Sequence, residues 1–364
     1  MQSFFPTTRL VKGAGQPFNF GEAYQELDEI TYPRYNGDTG TVRQMIDDSF
    51  TDSFLVLKSG AIVSEQYFNG MSVDSHHLLN SVTKSFVGML AGIAVDRQLL
   101  DPAAPVTSYL PGLDNSAWSG ATVRHLLDMT AGANYGEDYT DPEADFWQEA
   151  AVVGWRPDLV TGALPETLYE YARSLVGKDQ QNGEKFHYRT VTTNVIGLML
   201  EAVMGRPLGE LLTEELWSRM RPRNDASVVV DKAGALYVGA GMSASARDLA
   251  AFGSLMIGDG KIGGEQVLPA DWIQDTMTGD ATSRQCYLDS EYAVFGFSHY
   301  RNQVWVKDSA REHMLALGIH GQIIYMNRSD DVVIVKLSTQ PEQVDMEMFV
   351  DAFAAMDAIA AALA

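Results

Sequence analysis

A single cysteine, Cys286, stands in 364 residues, so no disulfide can form within the chain and oxidative stapling is excluded. Basic residues are scarce: 26 Lys and Arg face 48 Asp and Glu, a net charge of −22. That deficit excludes the basic footprint nucleic acid requires and argues against docking on anionic lipid. It favours solubility and repels polyanionic substrates at long range. No apolar run reaches the roughly 20 residues of a membrane span. The stretch from Met1 to Arg9 lacks a basic region followed by a long apolar one. No signal peptide is expected, and a cytoplasmic location is the default. No Gly-x-Ser-x-Gly elbow occurs, which removes the signature of a Ser-His-Asp hydrolase. The seven histidines show neither His-x-x-x-His nor His-Glu-x-x-His spacing, so no metal is expected. No glycine-rich phosphate or dinucleotide loop appears, so no cofactor is expected either.

What is present is an ordinary globular composition, 46% hydrophobic and 20% charged, in a chain longer than one compact core usually needs. Phe54 to Leu57 and Ala61 to Val63 read as the strands of a hairpin turned by Lys58-Ser59-Gly60. Strand character returns late, in Val294 to Phe297, Val304 to Val306, Gln322 to Met326 and Val332 to Leu337, before an alanine-rich helix from Met348 to Leu363. Between them the pattern is helices and loops, with an acidic, aromatic region at 141–160 that reads as a partly ordered excursion, its acidic run 141–145 as solvated surface. Strands at both ends around a helical middle imply an α/β (α+β) protein. It is an antiparallel sheet flanked by helices with an inserted all-helical domain: the sheet is assembled from residues 1–98 and 236–364, and the mainly helical insert spans 99–235.

The most informative stretch is Ser81-Val82-Thr83-Lys84 at the start of the apolar run Phe86 to Val95. Residues three apart share a helix face, so the Ser81 hydroxyl and the Lys84 amine can meet. A serine is a poor nucleophile until a base takes its proton, and a desolvated, neutral lysine can be that base. Alone, the tetrapeptide reads more simply as a capping serine and a solvated lysine in the first turn. A Ser–Lys enzyme also needs a second acid/base group and an oxyanion hole. Tyr188, on a loop before the helical run that includes Val195, is the candidate for the first, its phenol relaying protons if nearby lysine charge lowers its pKa. For the second, the glycines of Ala316-Leu317-Gly318-Ile319-His320-Gly321 let an edge strand approach a substrate closely, its N–H groups acting with that of Ser81.

Ser81-Val-Thr-Lys84, Tyr188-Arg-Thr190 and Gly318-Ile319-His320-Gly321, in that order, resemble the serine β-lactamase-like and penicillin-binding superfamily, in particular its class C-like branch of esterases and 6-aminohexanoate-dimer hydrolases. Val123 to Gly132, Gly241 to Ala250 and Gly260 to Gly264 support the resemblance, which covers roughly residues 50 to 340. It implies an acyl-enzyme mechanism on small carboxylic esters or linear amides. Ser81 attacks, Lys84 and Tyr188 move protons, and the N–H groups of Ser81 and Ile319 hold the oxyanion. Relatives of this branch close a tyrosine over the substrate, a role that falls to Tyr139, and Thr190, Gly318 and His320 are the further substrate-binding candidates. Class C β-lactamases carry Tyr-x-Asn and Lys-Thr-Gly where this chain has Thr190 and Ala316-Leu317-Gly318. The missing lysine argues against efficient β-lactam hydrolysis. The alternatives are a weak β-lactamase and a non-catalytic binding protein of the same fold. The expected partner is a small ester or amide, with no nucleic acid and no membrane, and a homodimer is left open.

Overall fold

A computed structural model describes residues 4–160 and 162–364. Ser59 and Gly60 both adopt positive φ, 50° and 75°, which suits a two-residue turn between strands Thr51–Lys58 and Ala61–Tyr67. This hairpin joins strands from the far end of the chain. The main sheet runs in the order His299–Arg301, Val304–Asp308, His313–Gly318, Gln322–Asn327, Val332–Ser338, Thr51–Lys58, Ala61–Tyr67, Gly21–Glu22. Every pairing is antiparallel except the last, in which Gly21–Glu22 lies parallel to Ala61–Ile62. N- and C-terminal parts meet where Val333 pairs with Leu57 and Val335 with Leu55.

The unbroken apolar run Val332 to Val335 follows from burial on both faces. Val333 and Val335 join Leu55 and Leu57 in one core, against Phe86 of the helix Thr83–Asp96 and Phe252 of the helix Ala246–Ile257. Val332 and Ile334 join Phe54 and Val56 in the other, under the helices Val42–Asp48 and Met346–Leu363. A second, four-stranded sheet places His77–Leu78 beside Met242–Ala244, then Ala226–Val229 and Thr7–Leu10, and so anchors the chain just before Ser81. Among the described residues, no helix is long and apolar enough to cross a membrane.

Several elements differ from expectation. The mainly helical segment 99–235 also contributes one strand, Ala226–Val229, to the small sheet. Region 141–160 holds an ordered helix, Asp145–Val152, with Phe146 and Trp147 turned into the core. Val294 to Phe297 is not a strand. Glu291–Phe295 forms a 3₁₀ helix capped by Ser290 and stopped by Gly296 at φ 69°, because a serine cap and a left-handed glycine outweigh the β propensity of valine and phenylalanine. His313–Gly318 is an interior strand, paired on both sides, rather than an edge.

Candidate active site

Ser81 stands in a single 3₁₀ turn, Asn80–Val82, that runs directly into the Thr83–Asp96 helix. Asn80 enters it at φ 48°, a left-handed conformation asparagine tolerates better than most residues. The Asn80 side chain donates to the Ile319 carbonyl at 3.0 Å. Thr83 Oγ1 donates to Asn80 O at 2.7 Å and accepts from the Met242 amide at 3.2 Å. The turn is thereby tied to the small sheet on one side and to the end of strand His313–Gly318 on the other.

Lys84 is 1% exposed and its amine meets three oxygens: Ser81 Oγ at 2.7 Å, Thr190 Oγ1 at 2.9 Å and Gly239 O at 2.6 Å. Burial lowers its pKa from 10.5 to about 8, opposed by the charges of Glu137 and Glu149. The three contacts are not equivalent. Gly239 offers a carbonyl, which only accepts. Thr190 gives its own proton to Glu137 Oε1 at 2.7 Å, so towards Lys84 it too can only accept. When the amine is neutral, its two N–H groups are held by these oxygens and its lone pair faces Ser81.

The Tyr188 ring lies 4.9 Å from Lys84 Nζ and stacks on Trp305 at 5.4 Å. Its neighbour Arg189 is fully buried and clamps the loop through Asp179 at 2.6 Å and the Ala131 carbonyl at 2.9 Å. Burial and the charge of Glu137 push the Tyr188 phenol well above its ordinary range, and the Ser81 hydroxyl beside it opposes them. The expectation of a lysine-lowered phenol is therefore reversed. Tyr188 stays protonated at neutral pH and can donate a proton, not hold a phenolate.

Glu137 was not legible in the sequence. Its carboxylate accepts from the Thr190 amide at 2.6 Å, the Thr190 hydroxyl and the Tyr139 hydroxyl at 2.7 Å. A carboxylate at the N-terminus of the Thr190–Met204 helix is favourably placed, because the unpaired amides there carry partial positive charge. Tyr139 lies on the cavity wall, edge-on to Phe146 at 4.9 Å. Thr190 does not reach the cavity. It is fully buried and spends its hydroxyl between Lys84 and Glu137, which corrects its expected place among substrate contacts.

Gly318 and Ile319 line the cavity beside Ser81. A Cβ on Gly318 would stand 2.4 Å from Leu79 O and 3.2 Å from Ser81 N, so only glycine allows the strand end this close to the serine. His320 is not part of the cavity wall. At φ 62° its ring turns away to pair Nδ1 with the Gln340 carbonyl at 2.7 Å, and its amide bonds Gln343 O at 2.8 Å. A turn contact thus takes the place of the substrate contact expected of it.

The cavity holds about 220 Å³ and opens over Ser81. Tyr292, Phe295, Phe297, Trp305, Phe349 and Phe353 form its aromatic wall, drawn from the 3₁₀ helix, the sheet and the C-terminal helix. Among the described residues that line it, Glu137 alone carries charge. An anionic group would meet a fixed negative charge and no cation.

The chain matches the Beta-lactamase family over residues 41–355. It is 34% identical over 302 residues to a 6-aminohexanoate-dimer hydrolase of Paenarthrobacter ureafaciens, spanning 83% of this chain and 76% of that one. Its fold is shared with a Bacillus anthracis structure provisionally described as a 6-aminohexanoate-dimer hydrolase, at TM-score 0.88 and 24% identity, covering 100% of this chain and 92% of the other. A family VIII carboxylesterase shares the fold at TM-score 0.63 and 16% identity, covering 87% and 95% of the two chains.

Proposed function

We propose, the chain belonging to the beta-lactamase family, that this serine hydrolase cleaves small esters or linear amides with apolar acyl groups through an acyl-enzyme on Ser81. The observation that carries this reading is the bonding of Lys84, whose two fixed acceptors aim the lone pair of a neutral amine at the serine hydroxyl. In acylation Lys84 takes the proton of Ser81 as Oγ forms a bond to the substrate carbonyl carbon. The developing oxyanion lies against the amides of Ser81 and Ile319. As the tetrahedral intermediate collapses, the Tyr188 phenol protonates the leaving alcohol or amine and is reprotonated from Lys84. Water then attacks the acyl carbon with Lys84 again as base, and the acid departs as Ser81 Oγ regains its proton.

The acyl group lies along the aromatic wall. The methylene stretch of a 6-aminohexanoyl group, named for the Paenarthrobacter relative, suits that apolar wall, and its terminal ammonium suits the charge of Glu137. A β-lactam presents a carboxylate, which Glu137 repels and no lining cation receives. The test is hydrolysis of p-nitrophenyl butyrate, 6-aminohexanoate dimer and nitrocefin side by side, with a fluorophosphonate probe mapped to its site by mass spectrometry. Label on Ser81, clear turnover of the ester and a kcat/KM for nitrocefin at least ~100-fold below it are the expected results. Absence of label, or label elsewhere, overturns the reading.

The pH dependence has a definite sign. Lys84 must be neutral to act as base, and its pKa is depressed from 10.5 to about 8. For an uncharged ester, kcat/KM is therefore expected to rise about tenfold per pH unit below that midpoint and to level off above it. A profile flat between pH 6 and 9 would contradict the assignment of Lys84 as base.

A further inference from the structure

Behind the catalytic amine, on the side away from the cavity, a second chain of hydrogen bonds runs into the helical segment. Lys84 Nζ donates to Gly239 O at 2.6 Å, and the Gly239 amide donates to Asn194 Oδ1 at 2.9 Å. Asn194 Nδ2 donates to Glu149 Oε1 at 2.7 Å, and Tyr135 donates its hydroxyl to Glu149 Oε2 at 2.6 Å. Asn194 sits on the Thr190–Met204 helix and Glu149 on the Asp145–Val152 helix, where Glu149 is 1% exposed and, among the described residues, has no basic partner. A lone carboxyl in such a place is costly to keep, and nothing in the reaction uses it directly.

We infer that Glu149 is a positioning residue for Lys84, acting through Asn194 and the Gly239 peptide to hold the Gly239 carbonyl on the amine. The inference rests on the reading of Lys84 as the general base. A carboxyl oxygen facing Asn194 fixes which end of that amide points inward. The nitrogen must meet Glu149, which leaves the oxygen for the Gly239 N–H. The Gly239 peptide has no other place to go. A Cβ there would lie 2.4 Å from Thr190 Cγ2 and 3.3 Å from Asn194 Nδ2, so the strip is packed against both residues it serves. With its amide held, its carbonyl points at Lys84, and the lone pair of the neutral amine is left for Ser81.

The titratable groups around this chain are few. Glu137, Glu149 and the Tyr188 ring face Lys84, and Tyr135, Tyr171, Tyr237, Glu137 and Lys84 itself face Glu149. Burial raises the Glu149 carboxyl to about 8, against the donors Tyr135 and Asn194, while its charge favours the protonated amine of Lys84.

Two substitutions separate geometry from charge. Glu149→Gln keeps an acceptor for Asn194 but removes the charge, and Glu149→Leu removes both. Profiles of kcat and KM for p-nitrophenyl butyrate from pH 6 to 10, with thermal melting of each variant, decide the matter. For Glu149→Gln the midpoint is expected to move down by roughly half a pH unit, with the plateau largely kept. For Glu149→Leu the plateau kcat is expected to fall roughly 10–100-fold at little-changed KM. A folded Leu variant with the wild-type plateau kcat overturns the inference, and so does a folded Gln variant whose plateau falls more than about tenfold although its acceptor is kept. So does a folded Leu variant whose loss lies only in KM. A wild-type profile flat between pH 6 and 9 would instead defeat the reading of Lys84 itself, and Glu149 would fall with it.

Discussion

Ser81→Ala is expected to lower kcat/KM for p-nitrophenyl butyrate by on the order of 10⁵–10⁶, to the background left by the cavity and the oxyanion amides. In the proposed mechanism no acyl-enzyme forms without Oγ, and the two nearby threonine hydroxyls are engaged elsewhere. Thr83, two residues on, gives its hydroxyl proton to Asn80 O, and that of Thr190 is committed to Glu137. The fold should not notice. Ser81 contributes one hydroxyl to a site already tied down by Asn80 and Thr83, and its loss leaves Lys84 two of its three acceptors. Initial rates together with a melting curve check both halves. A variant that keeps a tenth of the wild-type rate at the wild-type melting temperature would mean that another residue is the nucleophile.

Lys84→Met is expected to lower kcat/KM by on the order of 10⁴ while changing the melting temperature by no more than about 5 °C. The contrast follows from opposite demands on the same side chain. In the proposed mechanism the amine is the proton acceptor of the acylation step. For folding it is a buried cation, and its replacement by an apolar chain of similar length removes a desolvation penalty that offsets the stranding of Gly239 O and Thr190 Oγ1. Stopped-flow acylation and calorimetry on the same preparation separate the two. Near-wild-type acylation in this variant would remove Lys84 from the mechanism.

Ser81 and Lys84 were legible because their geometry is local: three residues on a helical turn dictate proximity wherever the turn lies. The hairpin Thr51–Tyr67 was legible for the same reason, since alternation and a Ser-Gly turn act over a few residues. Glu137 and Glu149 were not. Glu149 lies in the acidic, aromatic stretch 141–160, whose composition suits a partly ordered excursion, and Glu137 just before it, and their partners Thr190 and Asn194 stand far along the chain. His320 failed in the opposite sense. Its neighbours Gly318 and Ile319 do line the cavity, but a positive φ at the turn sends its ring to Gln340, and no local pattern reports which way a turn residue faces. Asn80 left a faint local trace, as an asparagine directly before the serine, where a left-handed residue is needed to enter the turn.

The pairing of Val332–Ser338 with Thr51–Lys58 has a consequence for how activity arises during synthesis. Ser81 and Lys84 leave the ribosome early, but the strand end that brings Ile319 to the serine can dock only when the last strand has closed the sheet against the first hairpin. Contacts between such distant parts of a chain form slowly and late. In the proposed mechanism a nascent or truncated chain therefore carries its serine and lysine without the opposing amide, and it is expected to be hydrolytically silent until the sheet is whole.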